Sequence, residues 1–400
     1  MDFALTEEQT AIFDMAHAFG QEHIAPHARA WEAQGTIPKE LWPKVAELGL
    51  GGIYVSEEWG GSGLSRLDAT LVFEALAMAC PSVGSFLSIH NMCGGMIDKF
   101  GTDDDKARWL PQLCTMEKVF SYCLTEPGSG SDAAALRTRA ERDGDDWVIN
   151  GQKIWTSGAH FSDYGVIVVR TDPTVPKHKG LSYFYVDMKA PGVEIKPIKQ
   201  LTGDSDFNEV YFTDVRVADS QRLGEVGQGW QVSLTTLMNE RAAIGGGFGQ
   251  MDVSLAMSVA QEVEIDGRPA IEDSAVRARI ANWYVQESGL KYTGYRSLTA
   301  LSRGALPGPE NSIGKLVGAP KMQAMASYLM DLLGASGAIA DEALAAKAGI
   351  IQRAYMGAPG LRIAGGTDEI MANIIAERVL GLPQEPRLDK GIPFNEVPTG

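Results

Sequence analysis

Four hundred residues, 44% apolar and 22% charged, exceed what one hydrophobic core usually carries, so two or three domains with a large buried interior are expected. Acidic residues outnumber basic ones by 51 to 35, and the formal net charge of −16 argues against a nucleic-acid or anionic-membrane partner, which would want a basic surface. No apolar run reaches membrane-spanning length, and the opening Met-Asp-Phe-Ala-Leu-Thr-Glu-Glu has neither a signal nor a transit pattern, which favours a cytoplasmic, bacterial protein.

Residues 1–117 read as an N-terminal helical domain. Thr6 before Glu7, Glu8 and Gln9 is a capping box, and Ile12, Phe13, Ala16 and Phe19 follow at helical spacing. Further helices fit Leu41–Leu48, Leu67–Ala79 and Val83–Phe100, and Asp103 to Asp105 open another, where acids favour the helix dipole. Over residues 118–226 the period changes to that of strands. Asn150-Gly151 reads as a hairpin turn between Trp147-Val148-Ile149 and Lys153-Ile154-Trp155. Val166–Val169, Tyr183–Val186, Val193–Ile198 and Val210–Val217 are further strands. With no helical pattern between them, a small antiparallel barrel or sandwich is expected, and the barrel is adopted. Residues 227–400 return to helices at Trp230–Ile244, Met251–Gln261, Asp273–Ser302, Ile313–Leu333 and Thr367–Leu380. A tail from Pro383, rich in Pro and charge, should run extended over the surface. The fold class is thus α+β: helical domain, β-barrel, helical bundle.

Cys80, Cys93, Cys114 and Cys123 lie in apolar surroundings without metal-type spacing and read as buried reduced thiols. His23 and His27 have a spacing that suits one helix face, but Pro26 falls between them and no acidic motif surrounds them. No metal site is expected.

The stretch Tyr122-Cys-Leu-Thr-Glu-Pro-Gly-Ser-Gly-Ser-Asp132 begins as a strand and breaks into glycines and hydroxyls. Such a turn lets backbone approach a ligand, and its successive N–H groups form an anion-binding nest. Thr125 to Asp132 resembles the signature loop of the acyl-CoA dehydrogenases, flavoenzymes that bind FAD there. The order of helices, strands and helices matches that family over nearly the whole chain. Gly60–Leu136 looks like isobutyryl-CoA dehydrogenases, and the remainder like bacterial homologues of broad substrate range. The resemblance implies that Tyr122, Leu124, Thr125, Gly130 and Ser131 contact the flavin, with Ser131 also near the substrate. Lys153-Ile154-Trp155-Thr156-Ser157 resembles the second flavin strand, which would set Trp155 over a ring face and Ser157 near N5. Thr367 and Glu369 would touch the flavin from the last helix.

Desaturating a thioester requires a base for the α-proton, donors that polarise the carbonyl, and a flavin at the β-carbon. Well-known members carry the base in a C-terminal Tyr-Glu-Gly-Thr, but here Gly365 stands in place of that Glu. Thr367 is also a natural N-cap, and Asp368 and Glu369 natural first-turn acids. Glu240 lies three after Leu237 and four before Ile244, and so projects from an apolar helical stripe. Leu-x-x-Glu-Arg there resembles the isovaleryl-CoA branch, whose base sits on this helix. Glu240 is then the base, Arg241 binds the coenzyme A part, and Gly365 and Gly366 lie at the substrate. The family's Arg-x-x-Phe-Gly and Gln-x-x-Gly-Gly segments are replaced by Val263–Gly267 and Asp331–Ala335, which lack the arginine and glutamine that reach the FAD pyrophosphate. The implied function is FAD-dependent dehydrogenation of an acyl-CoA to a 2,3-enoyl-CoA. Electrons would pass to an electron-transfer flavoprotein, and the protein would be a homo-oligomer, dimer or tetramer. The rivals are an acyl-CoA oxidase, a carrier-protein dehydrogenase, and a non-catalytic partner subunit.

Overall fold

The computed structural model describes residues 5–234, 251–302, 308–339, 341 and 343–398. The chain divides into two compact units, Leu5–Asn239 with Glu385–Gly400, and Glu240–Gln384.

The first unit opens with helices α1 (Glu7–Phe19), α2 (Ala28–Gln34), α3 (Leu41–Glu47), α4 (Arg66–Ala79), α5 (Pro81–Phe100) and α6 (Asp103–Cys114). The expected capping box starts α1: Gln9 N donates to Thr6 Oγ1 and Thr6 N to Gln9 Oε1, both at 3.1 Å. The same device, with aspartate at the third position, starts α4 at Ser65 and α6 at Thr102. Helix α2 is not among the expected elements. It is seven residues long and ends at Gly35, whose φ of 64° closes the helix in the left-handed region.

Helix α5 ties this layer together through two buried polar side chains. Asn91 accepts from Ile53 N at 2.7 Å and donates to Leu50 O and Leu87 O, each at 2.9 Å. His90 donates from Nε2 to Leu113 O at 3.0 Å and accepts at Nδ1 from Phe120 N at 3.1 Å. The carbonyl only accepts and the amide only donates, so these partners fix the neutral tautomer. Burial holds its pKa down at about 4.

The strands are β1 (Phe120–Cys123), β2 (Arg139–Asp143), β3 (Asp146–Ser157), β4 (Tyr164–Arg170), β5 (Leu181–Asp187), β6 (Val193–Ile198), β7 (Phe207–Ala218) and β8 (Arg222–Leu223). They form one sheet in the order β6-β7-β3-β2-β4-β5-β8, with β1 added to β4. This corrects the expected barrel: the sheet is not closed, since β6 and β8 are its two ends. Nor is it wholly antiparallel, because β1 and β2 each run parallel to β4. The β2–β4 joint is a single residue pair, Arg139 with Arg170. The sheet folds over there, and Trp147 of β3 packs on Phe184 of β5 with ring centres 5.4 Å apart. That interior takes the apolar side chains of β3, β4, β5 and β7, while the opposite face of β4 and β5 packs under Trp109, Leu110 and Leu113 of α6.

The expected hairpin at Asn150-Gly151 is also overturned. Strand β3 runs straight through these residues, and the turn falls at Gly144-Asp145, between Asp143 and Asp146. Gly151 instead marks a bulge in the β3–β7 ladder, with φ of 151°. A Cβ there would lie 2.6 Å from Thr138 Cα, so close passage of backbone explains the glycine.

The second unit contains α7 (Val253–Glu262), α8 (Ser274–Ser302), α9 (Ser312–Leu333), α10 (Ile350–Leu361) and α11 (Asp368–Ile374), which continues as a π turn over Ile375–Val379. Its core joins α7, α8, α9 and α10 through Ala256, Ile280, Trp283, Met325, Leu329 and Ile351. Between α7 and α8, β9 (Glu264–Ile265) and β10 (Arg268–Pro269) form a hairpin turned by Asp266 and Gly267, at φ of 51° and 75°. No described helix is long and apolar enough to cross a membrane.

Candidate active site

The signature segment is a loop with two clamped legs and an open tip. Lys153 of β3 is fully buried; its ammonium donates to Leu124 O at 3.1 Å and to Glu126 Oε1 at 2.8 Å. The buried Glu126 carboxylate also accepts from Thr138 N at 2.9 Å and Arg137 N at 2.6 Å, where the chain leaves the loop. Burial alone would raise the Glu126 pKa, but the Lys153 charge and these hydrogen bonds outweigh it and hold the carboxyl below its ordinary value. Burial likewise lowers Lys153, which Glu126 offsets only in part. On the outgoing leg the buried Arg170 guanidinium donates to Ala134 O at 2.6 Å and Leu136 O at 3.1 Å. Two buried cations thus satisfy carbonyls that a loop would normally leave to water.

At the tip, Glu126 and Ser129 exchange backbone hydrogen bonds, and Ser129 Oγ donates to Asp132 O. Gly128, Gly130 and Ser131 are exposed, and a Cβ on either glycine would find none of the described residues within 4 Å. Thr125 O accepts from Ile154 N at 2.8 Å, which ties the loop to β3 next to Trp155.

Strict alternation along β3 puts Trp147, Ile149, Lys153 and Trp155 on one inward face. The ladder slips between Lys153 and Thr156, and Trp155 takes φ of 61°. The bulge turns its indole outward, 51% exposed and edge-on to Phe207 at 5.9 Å, while Thr156 is buried. Left-handed backbone in a tryptophan is uncommon, and here it serves to present an aromatic face. Ser157 lines a cavity of about 170 Å³ with Trp31, Ser82, Phe86, His160 and Asp206. The Tyr122 hydroxyl shares a hydrogen bond with Tyr183 at 2.7 Å, and Tyr183 another with Ser233 at 2.7 Å. Leu124 packs with the core under the helices.

In the second unit Gly365 and Gly366 have φ of 64° and 105° and make an elbow before α11. Thr367 is the N-cap, its hydroxyl accepting from Ile370 N at 3.3 Å. The buried Lys315 donates to Gly366 O, and Arg362 pairs with Asp368 at 2.7 Å, so the elbow is held from both sides. Glu369 is exposed; hydrogen bonds from its own amide and from Thr367 keep its carboxyl below the ordinary value. Glu240 and Arg241 lie outside the described residues. Among the described residues no group of three or more metal-type ligands gathers.

Sequence reasoning missed Glu126, Lys153, Arg170 and Lys315 as supports. Lys153 carried a signal, because period two puts it on the inward face with Trp147 and Ile149. Arg170 and Lys315 gave none.

The open tip, the outward indole and the hydroxyls of Thr125, Ser131 and Ser157 suit a flat heterocycle carrying a phosphate chain. Three family models match in sequence order: the N-terminal, middle and C-terminal domains of acyl-CoA dehydrogenase, over residues 6–117, 121–215 and 227–380. Mitochondrial isobutyryl-CoA dehydrogenase of Dictyostelium discoideum is 43% identical over 243 residues, 60% of this chain and 58% of that protein. The match therefore spans less than two thirds of that relative's length. Acyl-CoA dehydrogenase IpdE1 of Mycobacterium tuberculosis is 34% identical over 377 residues, 92% of this chain and 91% of that one. The crystal structure of an acyl-CoA dehydrogenase from Geobacillus kaustophilus superposes with a TM-score of 0.83 at 27% identity, covering 94% and 98% of the two chains. The chain belongs to the acyl-CoA dehydrogenase family.

Proposed function

We propose that the protein is an FAD-dependent acyl-CoA dehydrogenase that converts an acyl-CoA to its 2,3-enoyl-CoA and passes electrons to an electron-transfer flavoprotein. The observation that carries this reading is the bulge that turns Trp155 outward beside the clamped Thr125 loop. By the family resemblance, Thr125, Gly130, Ser131, Trp155, Ser157, Thr367 and Glu369 are flavin-binding residues. The resemblance adds Tyr122 and Leu124 to this set. When bound, FAD supplies the two-electron acceptor for the substrate's β-hydride.

Glu240 removes the α-proton, and removal of water by the bound thioester raises its basicity. The elbow at Gly365 and Gly366 offers backbone N–H groups to the thioester carbonyl, and Arg241 binds the coenzyme A portion. Three domains, 1–117, 118–226 and 227–400, would divide these tasks. A cytoplasmic homodimer or homotetramer is the state proposed.

Anaerobic titration of the purified protein with straight, branched and bulky acyl-CoA esters tests the reading. Flavin absorbance should bleach with at least one ester. Glu240→Gln should keep its flavin and lose about a hundredfold or more in bleaching rate. Full turnover in that variant would remove Glu240 from the base role.

A further inference from the structure

We infer that the C-terminal tail, Asp389 to Val397, is a strap that fixes the cofactor loop, with Asp389 and Phe394 acting as positioning residues for flavin binding. This rests on the reading that the loop at 124–132 holds the flavin. The strap lies beyond residue 380, where the family's C-terminal model ends.

The tail is expected to run extended over the surface, and residues 382–388 are exposed. From Asp389 it docks on the β domain. Phe394 N donates to Val175 O at 2.9 Å and Asn395 N to Pro173 O at 3.0 Å, while Pro393 bridges to Pro176. The Phe394 ring lies under the Arg170 guanidinium, 3.5 Å from carbon to ring centre. That guanidinium holds the outgoing leg of the loop through Ala134 O and Leu136 O, and donates to Lys177 O at 2.9 Å. Lys177 in turn bridges two carboxylates: Asp132, at the end of the tip and 2.5 Å away, and Asp389 of the tail. Burial alone would lower the Lys177 pKa, but its hydrogen bonds and charges with Asp132 and Asp389 leave it raised.

The tail therefore reaches the loop by two routes. An aromatic face attracts a planar cation and limits the rotamers it can adopt, so Phe394 keeps Arg170 aimed at the two carbonyls. Asp389 holds Lys177 where it neutralises Asp132, so a carboxylate beside the tip does not oppose an anionic ligand. The tip has its own Glu126–Ser129 and Ser129–Asp132 hydrogen bonds, but Gly128 and Gly130 there have no neighbour among the described residues that a Cβ would meet.

The test uses the full-length chain, Asp389→Asn, Phe394→Leu and Lys177→Gln, and a truncation after Gln384. Two quantities are read: the FAD dissociation constant, and amide hydrogen exchange over residues 126–138 in the FAD-free protein. Each point variant should raise the dissociation constant about three- to tenfold and speed exchange in that segment. Lys177→Gln breaks both bridges and Asp389→Asn only one, so adding Asp389→Asn to Lys177→Gln should change little further, because Asp389 reaches the loop through Lys177. Unchanged exchange and FAD affinity in the truncated chain, or in Asp389→Asn and Phe394→Leu if truncation prevents folding, would overturn the strap. A full-length chain that folds but binds no FAD would overturn the reading of the loop, while the exchange data still judge the strap by themselves.

Discussion

Lys153 and Glu126 make the central residue-scale contact of the site. An ammonium with no solvent exposure is tolerable only if its charge and donors are met, and Glu126 Oε1 and Leu124 O meet them. Replacing one partner leaves a buried charge uncompensated. Glu126→Gln should therefore destabilise the first unit by about 3–5 kcal/mol. Adding Lys153→Met should recover part of that loss, because no charge then remains to bury. Urea denaturation of the two variants checks this, and additive losses would count against a coupled pair. The carboxyl of Glu126 titrates below its ordinary value in the fold. Its contribution is thus complete above the unfolded carboxylate range and fades as pH falls through the folded value. The motif at 125–132 was legible as a ligand loop, but its glutamate was not legible as the anchor. The partner is 27 residues away on β3, and only packing pairs it with the loop.

At the scale of elements, the strap, the bulges and the seating of β1 decide where the site residues point. Most helices and strands were readable from period and caps, because apolar spacing and capping boxes are local. Registers were not. Asp143-Gly144 and Asn150-Gly151 are rival turn signals on the same stretch, and pairing of Arg139–Asp143 with Asp146–Asn150 chose the first. The outward turn of Trp155 depends on a slip against β7, which no spacing in β3 announces. Seating of β1 rests on His90, held neutral between Leu113 O and Phe120 N. Its pKa falls from 6.5 to about 4, so between those values the unfolded chain takes up the proton and the fold does not. Stability is complete above pH 6.5 and declines as pH falls towards 4, by about 3 kcal/mol over the window. Denaturation midpoints of wild type and His90→Gln across pH 4 to 7 measure it. The glutamine variant should start lower and lose this share of the pH dependence. Parallel curves would mean that another group sets the acid limit.

At the scale of the whole molecule, net charge governs how an anionic ligand approaches. If the substrate is the proposed coenzyme A ester, a net −16 repels it at long range, and any cationic groups that bind it act only near contact. The two contributions separate by distance, and salt tells them apart. Raising ionic strength from about 0.01 to 0.15 M shortens the screening length from roughly 30 to 8 Å. The diffuse repulsion is then removed while close pairs lose little. The association rate constant of an acyl-CoA ester with the flavin-loaded protein should accordingly rise severalfold over that range, with a smaller change in dissociation. Stopped-flow mixing under anaerobic conditions, followed by flavin absorbance, gives both constants. A rate that falls with salt would mean that a local basic patch, and not the net charge, governs approach. The composition alone points to this balance, since any anion site on so acidic a chain must be built from nearby cations and N–H groups. Lys177 illustrates the arrangement inside the fold: it offsets the carboxylate of Asp132 beside an open loop and is itself held by Asp389.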